Sequence, residues 1–288
     1  MTKILVTGAS GQLGSSIKII SARYDQFHFE YTDVAELDIT NSSSVIDYFR
    51  ESMPDYVINC AAYTAVDKAE SEADLCYLLN AEAVRNLAEA SAVVKARLIH
   101  ISTDYVFRGS GHKPYSENDA PDPQSVYGKS KLKGEMYLMN NPDAIIIRTS
   151  WLYSQFGNNF LKTMIRYGKE KDELRVVDDQ KGSPTFAPDL ADAILKIISQ
   201  TKEGSYKSGI YHYCNTGVTS WFGFAKKIIE KTNLPCRVIP IETKDYPTAA
   251  PRPPYSVLDS EKIVSSFEIR IPSWETSLNT CIEFLKKV

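Results

Sequence analysis

Short apolar runs alternate along the first half of the chain with longer segments in which apolar residues recur every three or four positions. Runs rich in β-branched residues are typical of buried strands, and the longer period is typical of amphipathic helices. The pattern predicts strands at 4–6, 27–31, 56–59, 97–102 and 144–148, and helices at 13–20, 45–50 and 75–92. In the helix at 75–92, we expect a core face that consists of Leu75, Leu78, Leu79, Val84 and Leu87. This alternation predicts an α/β protein whose parallel sheet carries helices on both faces.

The stretch TGASGQLG places Gly8, Gly11 and Gly14 between the first predicted strand and the first predicted helix. A strand, a glycine turn and a helix in this order direct free backbone N–H groups and the positive end of the helix at an anion. Gly8 would permit the tight turn, Gly11 the close approach of a pyrophosphate, and Gly14 the packing of helix against strand. The spacing G-x-x-G-x-x-G departs from the standard G-x-G-x-x-G, so a plain strand-to-helix turn stays open as an alternative.

An acidic side chain follows the second predicted strand. Asp33 lies nineteen residues after Gly14, where a carboxylate can accept hydrogen bonds from the ribose hydroxyls of a dinucleotide. Asp38 and Ile39 follow at a position that could meet the adenine. No lysine or arginine occurs between Asp33 and Arg50, which favours NADH over NADPH. A solvated loop carboxylate is the alternative interpretation of Asp33.

The second half of the chain is less regular. We predict helices at 160–169, 190–199 and 221–232, strands at 174–177 and 209–214, and loop with edge strand where six prolines fall between 235 and 254. The expected organisation is a Rossmann-type, doubly wound parallel sheet formed by residues 1–150 and about 186–214, which would bind the dinucleotide. Residues 151–185 and 215–288 would form a smaller, loop-rich lobe that binds substrate at the carboxyl ends of the strands.

Composition limits the classes of partner. The 288 residues are 43% hydrophobic and 24% charged, with a net charge of −3, as in an ordinary globular protein. We expect no nucleic-acid partner and no membrane association, because the chain has no basic field and no apolar run of bilayer length. Five scattered cysteines without a C-x-x-C pair indicate a reducing cytoplasm, and four histidines without ligand spacing indicate no metal site.

Two groups of residues carry candidate chemistry. Tyr127 and Lys131 are four residues apart, so on a helix they share a face. A cationic Lys131 would lower the pKa of Tyr127 and prepare it for proton transfer at a hydroxyl–carbonyl centre. Thr103 and Asp104 follow the strand at 97–102, where a hydroxyl could polarise a substrate carbonyl. The structural alternatives are a tyrosine packed over a lysine stem and an ordinary helix cap.

The glycine turn, the strand-end hydroxyls and Y-x-x-x-K, in this order, resemble the extended short-chain dehydrogenase/reductase family. Within that family, the chain is similar to the reductases that complete dTDP-L-rhamnose synthesis. The stretches that carry the resemblance run nearly from end to end: TGASGQLG, NCAAYTAVDKAE, STDYVF, YGKSKLKGE, RTSWLY, GNNFLKTM, DDQKGSPT and PRPPYSVLD. The glycine turn and Y-x-x-x-K occur across the whole superfamily, whereas AAYTAVDKAE and RTSW are specific to the subgroup.

The resemblance implies a role for each matching residue. Around the cofactor, it places Gly11, Gln12, Leu13 and Gly14 on the pyrophosphate, Asp33, Asp38 and Ile39 at the adenosine, and Ala62, Tyr63 and Thr64 along the nicotinamide. It makes Tyr127 the proton donor, and Lys131 the residue that anchors the nicotinamide ribose and tunes Tyr127. It makes Thr103 the group that polarises the substrate carbonyl, with Asp104 and Trp151 in contact with the substrate. From the residues alone, Trp151 would be a core tryptophan.

The activity implied by the resemblance is reduction of the C4 carbonyl of a dTDP-linked 4-keto-6-deoxy sugar by NADH or NADPH. Two alternatives stay open: an epimerase or dehydratase of nucleotide sugars, and a non-catalytic subunit similar to the regulatory subunit of methionine adenosyltransferase. Some family members are dimers bridged by magnesium on surface carboxylates. This chain has Ser15 and Ser16 where one such carboxylate would lie, so we expect no bridging metal, and either a monomer or a homodimer.

Overall fold

The computed structural model describes residues 1–201 and 206–286. Its strands are β1 (Thr2–Thr7), β2 (Phe27–Thr32), β3 (Tyr56–Asn59), β4 (Arg97–Thr103), β5 (Ala144–Thr149), β6 (Leu152–Tyr153), β7 (Glu173–Val177), β8 (Lys181–Gly182), β9 (Thr185–Phe186), β10 (Gly209–His212), β11 (Thr219–Ser220) and β12 (Arg237–Ile241). Its α-helices are α1 (Gln12–Ile20), α2 (Ser42–Ser52), α3 (Val66–Ala69), α4 (Ala73–Tyr77), α5 (Ala83–Val94), α6 (Val126–Met136), α7 (Phe160–Glu170), α8 (Ala187–Gln200), α9 (Trp221–Thr232), α10 (Glu261–Phe267) and α11 (Trp274–Lys286).

Six of these strands form one parallel sheet in the order β10-β5-β4-β3-β1-β2. The chain passes from β1 outwards to β2 and then returns to the other side of β1 at β3. This reversal opens a crevice at the carboxyl ends of β1 and β3, which is where ligands bind in open α/β sheets. The predicted Rossmann-type, doubly wound parallel sheet is therefore confirmed.

Alternate residues of the central strands enter two separate cores. Ile4 and Ile58 pack with α1 and α8 on one face, whereas Leu5 and Val57 pack with α2 and α5 on the other. A strand that is buried on both faces needs a continuous apolar run, and this is why the sequence shows such runs instead of alternation.

A third core belongs to the residues that follow β5. Side chains of α7, α9 and α11 surround Phe224 and Leu278, both of which are fully buried. The proline-rich segment supplies β12, which pairs in parallel with β7 at the edge of this region. Pro240 lies in β12, as an edge strand permits. One later element behaves differently: Ile263 and Phe267 of α10 pack into the core of the large sheet.

The helix predicted at 75–92 is interrupted, and part of its predicted core face is wrong. A π-helical turn, Leu78–Glu82, separates α4 from α5. Val84 and Leu87 are buried as expected, but Leu75 is 45% exposed and Leu78 is 40% exposed. Instead, Cys76 and Asn80 face inwards, because polar contacts of Asn80 fix this turn. A π-turn inside a helix often marks a functional site.

Within the described residues, no helix is both long enough and apolar enough to cross a bilayer. The same part of the chain holds no cluster of three or more histidine, cysteine, aspartate or glutamate side chains that could bind a metal ion.

Candidate active site

The glycine loop between β1 and α1 is shaped by two close backbone approaches. Gly8 has a φ of +66°, and a Cβ there would lie 2.6 Å from the backbone nitrogen of Ala61. A Cβ on Gly14 would lie 2.5 Å from the carbonyl oxygen of Gly8 and 2.6 Å from the Cα of Ala9. Neither contact can be relieved by a side-chain movement, so the fold itself requires glycine at both positions.

Gly11 is different. Apart from its chain neighbours, a Cβ on Gly11 would come within 4 Å of a single atom of the described residues. That atom is the carbonyl oxygen of Gly8, at 3.2 Å. Gly11 is also the N-cap of α1, which has no side-chain cap, so the first-turn N–H groups of Gln12, Leu13 and Gly14 face outwards without intrahelical partners. The fold does not require glycine at position 11. A pyrophosphate bound at this helix end requires it, because the phosphate must come close to the backbone.

This difference gives a prediction for two matched variants. We expect Gly11→Val to weaken dinucleotide binding by more than about tenfold, because the side chain enters the space above the uncapped helix end. We expect its free energy of unfolding to change little. Gly14→Ala, the control, forces a backbone clash and should lower the free energy of unfolding instead. Titration with NADH and urea denaturation measure the two effects. Equal losses of affinity and stability in Gly11→Val would mean that the glycines serve only the turn.

Gln12 joins this loop to the second lobe. Its Oε1 accepts hydrogen bonds from Ser154 Oγ at 3.0 Å and from Asn159 Nδ2 at 2.9 Å. Asn159 is also the N-cap of α7. The side chain of Gln12 is therefore committed to these contacts, and its backbone N–H is the group available to a phosphate. Leu13, in contrast, buries its side chain in the core against the sheet.

The three residues predicted at the adenosine end are placed in different ways. Asp33 lies beside the glycine loop, where its carboxylate accepts the backbone N–H of Ser10 at 2.9 Å. Asp38 is exposed and caps its own turn by accepting from the backbone N–H of Thr40 at 2.9 Å. The side chain of Ile39 is buried in the core below the sheet. The structure thus places Asp33 beside the glycine loop and leaves the Asp38 side chain exposed, whereas the side chain of Ile39 is buried in the core.

Ala62, Tyr63 and Thr64 follow β3 along the crevice. The backbone of Tyr63 is held on both sides by Asn80, whose Oδ1 accepts from its N–H at 2.9 Å and whose Nδ2 donates to its carbonyl at 3.0 Å. The phenol of Tyr63 donates to Glu72, and this hydrogen bond raises the pKa of Tyr63 to about 12. The hydroxyl of Tyr63 is therefore occupied by Glu72, and its ring belongs to a small buried cluster against which Tyr127 packs.

The helix α6 brings Tyr127 to the end of β4. Ser125 caps α6 by accepting the N–H of Gly128 at 3.1 Å. A Cβ on Gly128 would lie 2.3 Å from the carbonyl oxygen of Tyr105, so glycine allows the helix to rest on the turn that follows β4. The rings of Tyr105 and Tyr127 then meet edge to face, with centroids 5.5 Å apart. The glycine inside YGKSKLKGE thus positions the tyrosine.

The expected lowering of the Tyr127 pKa is wrong in this structure. Burial raises the pKa of Tyr127 above its usual value of 10, and the neighbouring hydroxyl of Thr103 opposes this increase. Lys131 does not compensate, because its Nζ points to the carbonyl oxygen of Ile101 at 2.6 Å and to His100 Nε2 at 3.3 Å. Burial also lowers the pKa of Lys131 to about 8. Tyr127 is therefore a protonated phenol at neutral pH.

Thr103 and Asp104 lie where β4 ends. The hydroxyl of Thr103 donates to Asp104 Oδ1 at 3.0 Å and accepts from the backbone N–H of Tyr105 at 3.2 Å, so the capping role foreseen as an alternative is present. Burial raises the pKa of Asp104 to about 6, against the hydroxyls of Ser256 and Thr103. Thr103, Asp104 and Tyr127 form a small polar cluster at the strand ends, with two hydroxyl donors and one carboxyl group.

Trp151 lies just beyond β5, beside this cluster, because Thr149 of β5 is paired with Thr103 of β4. Its φ of +47° is a strained conformation for a tryptophan. Its ring stacks on Trp221 of α9, with ring centroids 3.6 Å apart. A Cβ on Gly182 would lie 2.6 Å from the Trp151 ring. The tryptophan is therefore half-buried in an aromatic stack of the second lobe, and is not in the sheet core.

A cleft of about 980 Å³ opens on the other side of this stack. Trp221 and Phe160 line one wall, and Asp67 and Arg252 line another. Arg252 Nη2 lies 2.7 Å from Asp67 Oδ2, and this ion pair joins the proline-rich segment to α3. Tyr127 and Thr103 are not among the residues that line the cleft. The cleft begins at the aromatic stack and continues into the second lobe.

Sequence reasoning missed a buried ion pair beneath the cluster. Glu135 of α6 and Arg148 of β5 are 0% and 1% exposed. Arg148 donates to Glu135 through Nε at 2.9 Å and through Nη2 at 2.7 Å. Ser102 also donates to Glu135, and His212 Nε2 lies 3.4 Å from Arg148 Nη1. Both residues of the pair lie in the motifs YGKSKLKGE and RTSW. The sequence alone does not show that residues thirteen positions apart form an ion pair, because the contact depends on the tertiary structure.

The whole arrangement fits a dinucleotide and a carbonyl substrate. A helix end without a cap, beside a glycine that the fold does not require, suits a pyrophosphate. Asp33 lies next to it with a carboxylate for ribose hydroxyls. A phenol and a hydroxyl lie together at the end of β4, which β3 separates from β1. There they can stabilise negative charge on a carbonyl oxygen and supply a proton.

Comparison with known proteins places this site in a family. The family model described as "RmlD substrate binding domain" matches residues 1–287. A dTDP-4-dehydrorhamnose reductase from Aggregatibacter actinomycetemcomitans is 41% identical over 287 residues, which cover 96% of this chain and 97% of that protein. The crystal structure of a dTDP-4-dehydrorhamnose reductase from Clostridium acetobutylicum is similar with a TM-score of 0.94 at 44% identity, over 99% of this chain and 100% of that one. The enzyme of the same name from Bacillus anthracis, in complex with NADP, is similar with a TM-score of 0.93 at 43% identity, over 99% and 100% of the two chains.

Proposed function

Because the chain belongs to the family of the RmlD substrate binding domain, together with the dTDP-4-dehydrorhamnose reductases that match it from end to end, we propose that it catalyses the same reduction. The reaction is NAD(P)H-dependent reduction of the C4 keto group of dTDP-4-dehydro-L-rhamnose to dTDP-L-rhamnose. The observation that carries the proposal is the pair of hydroxyl groups on Thr103 and Tyr127 at the end of β4, on the same edge of the parallel sheet as the glycine loop that fits a nicotinamide dinucleotide.

The residues of the glycine loop hold the cofactor. The N–H groups of Gln12, Leu13 and Gly14 bind the pyrophosphate, and Gly8 and Gly11 keep the loop open to it. Asp33 accepts the adenosine ribose hydroxyls, and the backbone of 62–64 borders the nicotinamide. Lys131, together with Tyr127, anchors the nicotinamide ribose. When bound, the reduced nicotinamide supplies the hydride for the carbonyl carbon.

Residues of the chain stabilise the negative charge on the C4 oxygen and supply the proton. Tyr127 donates a hydrogen bond to the C4 oxygen, on which negative charge develops, and passes its phenolic proton to that oxygen. The Thr103 hydroxyl, which donates to Asp104 in the free protein, turns to donate to the same oxygen. The raised pKa of Tyr127 suits this direction of reaction, because the proton stays on the phenol until the charge forms. Asp104, with a pKa of about 6, is mostly ionised at neutral pH and accepts a hydrogen bond from a sugar hydroxyl.

The cleft of the second lobe binds the part of the nucleotide sugar that lies beyond the reacting C4 carbonyl. Its volume of about 980 Å³ is large enough for a nucleoside diphosphate sugar. Trp151 borders the sugar, and Trp221 extends the aromatic wall into the cleft. Arg252 lines the cleft and supplies a positive charge, although Asp67 partly neutralises it. Residues 151–185 and 215–288 serve the substrate, while 1–150 with about 186–214 serve the cofactor. The separate core around Phe224 supports this division, whereas α10, which packs on the large sheet, departs from it.

A consumption assay tests the proposal against its two rivals. With purified protein, the nucleotide-sugar substrate and excess NADH or NADPH, we expect one reduced nicotinamide to be consumed for each sugar. An epimerase or a dehydratase regenerates its nicotinamide in each cycle, so the absorbance of the reduced form would not fall. The absence of an acidic pair beside Thr103 already argues against a dehydratase, because Asp104 is followed by Tyr105. A regulatory subunit would bind the dinucleotide without turnover.

For the cofactor, we propose a preference for NADH. The Asp33 carboxylate lies beside the glycine loop, and a carboxylate accepts ribose hydroxyls but repels a 2′-phosphate. The complex of the Bacillus anthracis relative with NADP is an argument for the opposite preference. The ratio of kcat/KM for the two cofactors decides: a ratio in favour of NADH is expected, and a ratio in favour of NADPH contradicts the proposal. A monomer or a homodimer without a bridging metal, in the cytoplasm, stays a prediction.

A further inference from the structure

One side chain of the glycine loop reaches into the second lobe. Gln12 is the first residue of α1. Its Oε1 accepts from Ser154 Oγ at 3.0 Å and from Asn159 Nδ2 at 2.9 Å, and its Nε2 lies 3.3 Å from the carbonyl oxygen of Leu152. All three partners lie within 152–159, which contains β6 and leads into α7. The cofactor contacts proposed above use the backbone N–H of Gln12 and give its side chain no role.

The orientation of the Gln12 amide is fixed from both sides. Asn159 Oδ1 accepts the backbone N–H of Lys162 at 3.1 Å as the cap of α7, so Asn159 Nδ2 must face Gln12. An amide N–H can only donate and a carbonyl oxygen can only accept, so Gln12 presents Oε1 to Asn159 and Nε2 to Leu152. Both polar atoms of the Gln12 side chain therefore have partners in the second lobe.

The loop between β6 and α7 folds around this side chain. Asn159 Nδ2 also donates to the carbonyl oxygens of Ser154 at 2.7 Å and Phe156 at 3.1 Å, so the turn is closed on itself. Gly157 has a φ of +57°, and a Cβ there would lie 3.5 Å from Gln12 Cγ. The start of α7 is thus tied to the Gln12 side chain by a compact, hydrogen-bonded turn.

The helix that Gln12 holds is one wall of the substrate cleft. Phe160 follows Asn159 directly and is the first residue of α7. Its ring lies against Trp221, with ring centroids 4.7 Å apart, and Trp221 stacks on Trp151. Further along, α7 and its C-cap line the same cleft with Thr163, Met164, Tyr167 and Lys171. A shift at the start of α7 would therefore move the aromatic stack and the wall together.

We propose that the Gln12 side chain is a positioning residue for the substrate, and that it sets the α7 wall of the cleft relative to the cofactor loop. This inference rests on the proposed function. The backbone N–H of Gln12 binds the pyrophosphate, while its side chain holds the wall against which the nucleotide sugar lies. Reacting atoms must approach to about 3–3.5 Å, and a displacement of about 1 Å can lower the rate about 10²-fold. One residue thereby places both reactants in a common frame.

Other contacts keep the lobe in place when the Gln12 side chain is changed. The ion pair of Arg252 with Asp67 and the packing of α10 on the large sheet do not involve it. Methionine keeps the length of the side chain and its apolar stem, so we expect Gln12→Met to fold. The variant then removes the hydrogen bonds of the amide and leaves the backbone N–H for the cofactor.

Steady-state kinetics separates the effect on the substrate from that on the cofactor. In Gln12→Met at saturating NADH, we expect kcat to fall and the KM for the nucleotide sugar to rise about fivefold to tenfold, because the hydrogen bonds that fix the wall are lost. The Kd for NADH should change by less than about twofold. Gln12→Glu keeps the oxygen that accepts from Ser154 and Asn159, and its sugar KM should stay close to that of the wild type. An unchanged sugar KM in Gln12→Met, or an equal rise in the Kd for NADH, would overturn the proposal.

Tyr24→Phe is the matched control. It removes the hydrogen bond from the Tyr24 hydroxyl to Asp192 Oδ1, at 3.2 Å, which joins the chain just beyond the other end of α1 to α8. We expect its sugar KM to equal that of the wild type. A sugar KM raised as much as in Gln12→Met would mean that any loosening of α1 has this effect, and would contradict a specific role of Gln12.

Hydrogen exchange tests the same contacts without turnover. In the free protein, we expect the backbone amides of Lys162 and Thr163, in the first turn of α7, to exchange at least about threefold faster in Gln12→Met than in the wild type. Both amides are bonded to Asn159. The first turn of α2, which Asn41 caps, serves as the internal reference and should not change. Equal exchange of the α7 amides in the two proteins would refute the proposal.

The two measurements also distinguish this inference from the proposed function. If the wild type consumes no NADH in the presence of the sugar, the proposed function fails, and the exchange rates still decide whether Gln12 holds the α7 wall. If Gln12→Met does not fold, Ser154→Ala removes one donor to Gln12 Oε1 and is judged by the same kinetic and exchange criteria.

Discussion

Tyr127→Phe should lower kcat by about 10²–10⁴-fold, the usual contribution of general acid catalysis. The ring of Tyr127 packs edge to face on Tyr105, and phenylalanine preserves that contact. The variant therefore removes the proton and one donor to the C4 oxygen without creating a cavity. We expect the dissociation constant for the nicotinamide cofactor to change by less than about fivefold, and the free energy of unfolding to change little, because an isolated hydrogen-bonding group contributes only about 1 kcal/mol.

Tyr105→Phe is the matched control. It removes a phenolic hydroxyl from the ring that touches Tyr127, but we assign that hydroxyl no part in the reaction. We expect kcat close to that of the wild type. If Tyr127→Phe retained more than a tenth of the wild-type kcat, or if the two variants lost activity equally, Tyr127 would not be the acid.

The second large effect is on stability. Arg148→Met leaves the Glu135 carboxylate buried without its guanidinium partner, and breaking a buried pair in this way costs about 3–5 kcal/mol. The pair is bidentate, and the guanidinium also lies over the ring of Phe107, with its central carbon 5.0 Å from the ring centroid. We therefore expect the urea midpoint of Arg148→Met to fall markedly.

Two further variants separate the free-energy cost of an unpaired buried charge from that of lost packing. Adding Glu135→Leu to Arg148→Met should recover most of the stability, because apolar residues of similar volume often replace a buried pair without loss. Arg108→Met breaks an exposed pair with Asp122 that has a similar N–O distance of 2.6 Å, and it should cost less than about 1 kcal/mol. Equal losses for Arg108→Met and Arg148→Met would contradict this account of the buried pair.

The parts of the site that follow from local backbone physics could be predicted from the sequence. The glycine loop, the strands before it and after it, and the helix α1 all lie where the pattern placed them. Their positions depend on neighbouring residues: β-branched runs, glycine at turns, and helical spacing. In the second lobe, the edge strand among the prolines was predictable for the same reason.

The parts that depend on distant contacts could not be predicted. The exposure of Leu75 and Leu78 results from a π-turn that Asn80 fixes through Tyr63 and Ser130. The pKa of Tyr127 depends on how deeply the ring is buried and on where Lys131 points, and spacing alone reveals neither. Asn59, His100 and Lys131 come from β3, β4 and α6, so only the assembled sheet brings them into line.

The most direct test of the central claim is to follow the transferred hydrogen. The protein would be incubated with the nucleotide-sugar substrate and nicotinamide dinucleotide carrying deuterium at the transferable position, and the product would be examined by mass spectrometry and NMR. A reductase that works as proposed places one deuterium on C4 of the product sugar, and Tyr127→Phe forms that product far more slowly. A product without deuterium at C4, or a converted sugar with no oxidised dinucleotide, would contradict the account.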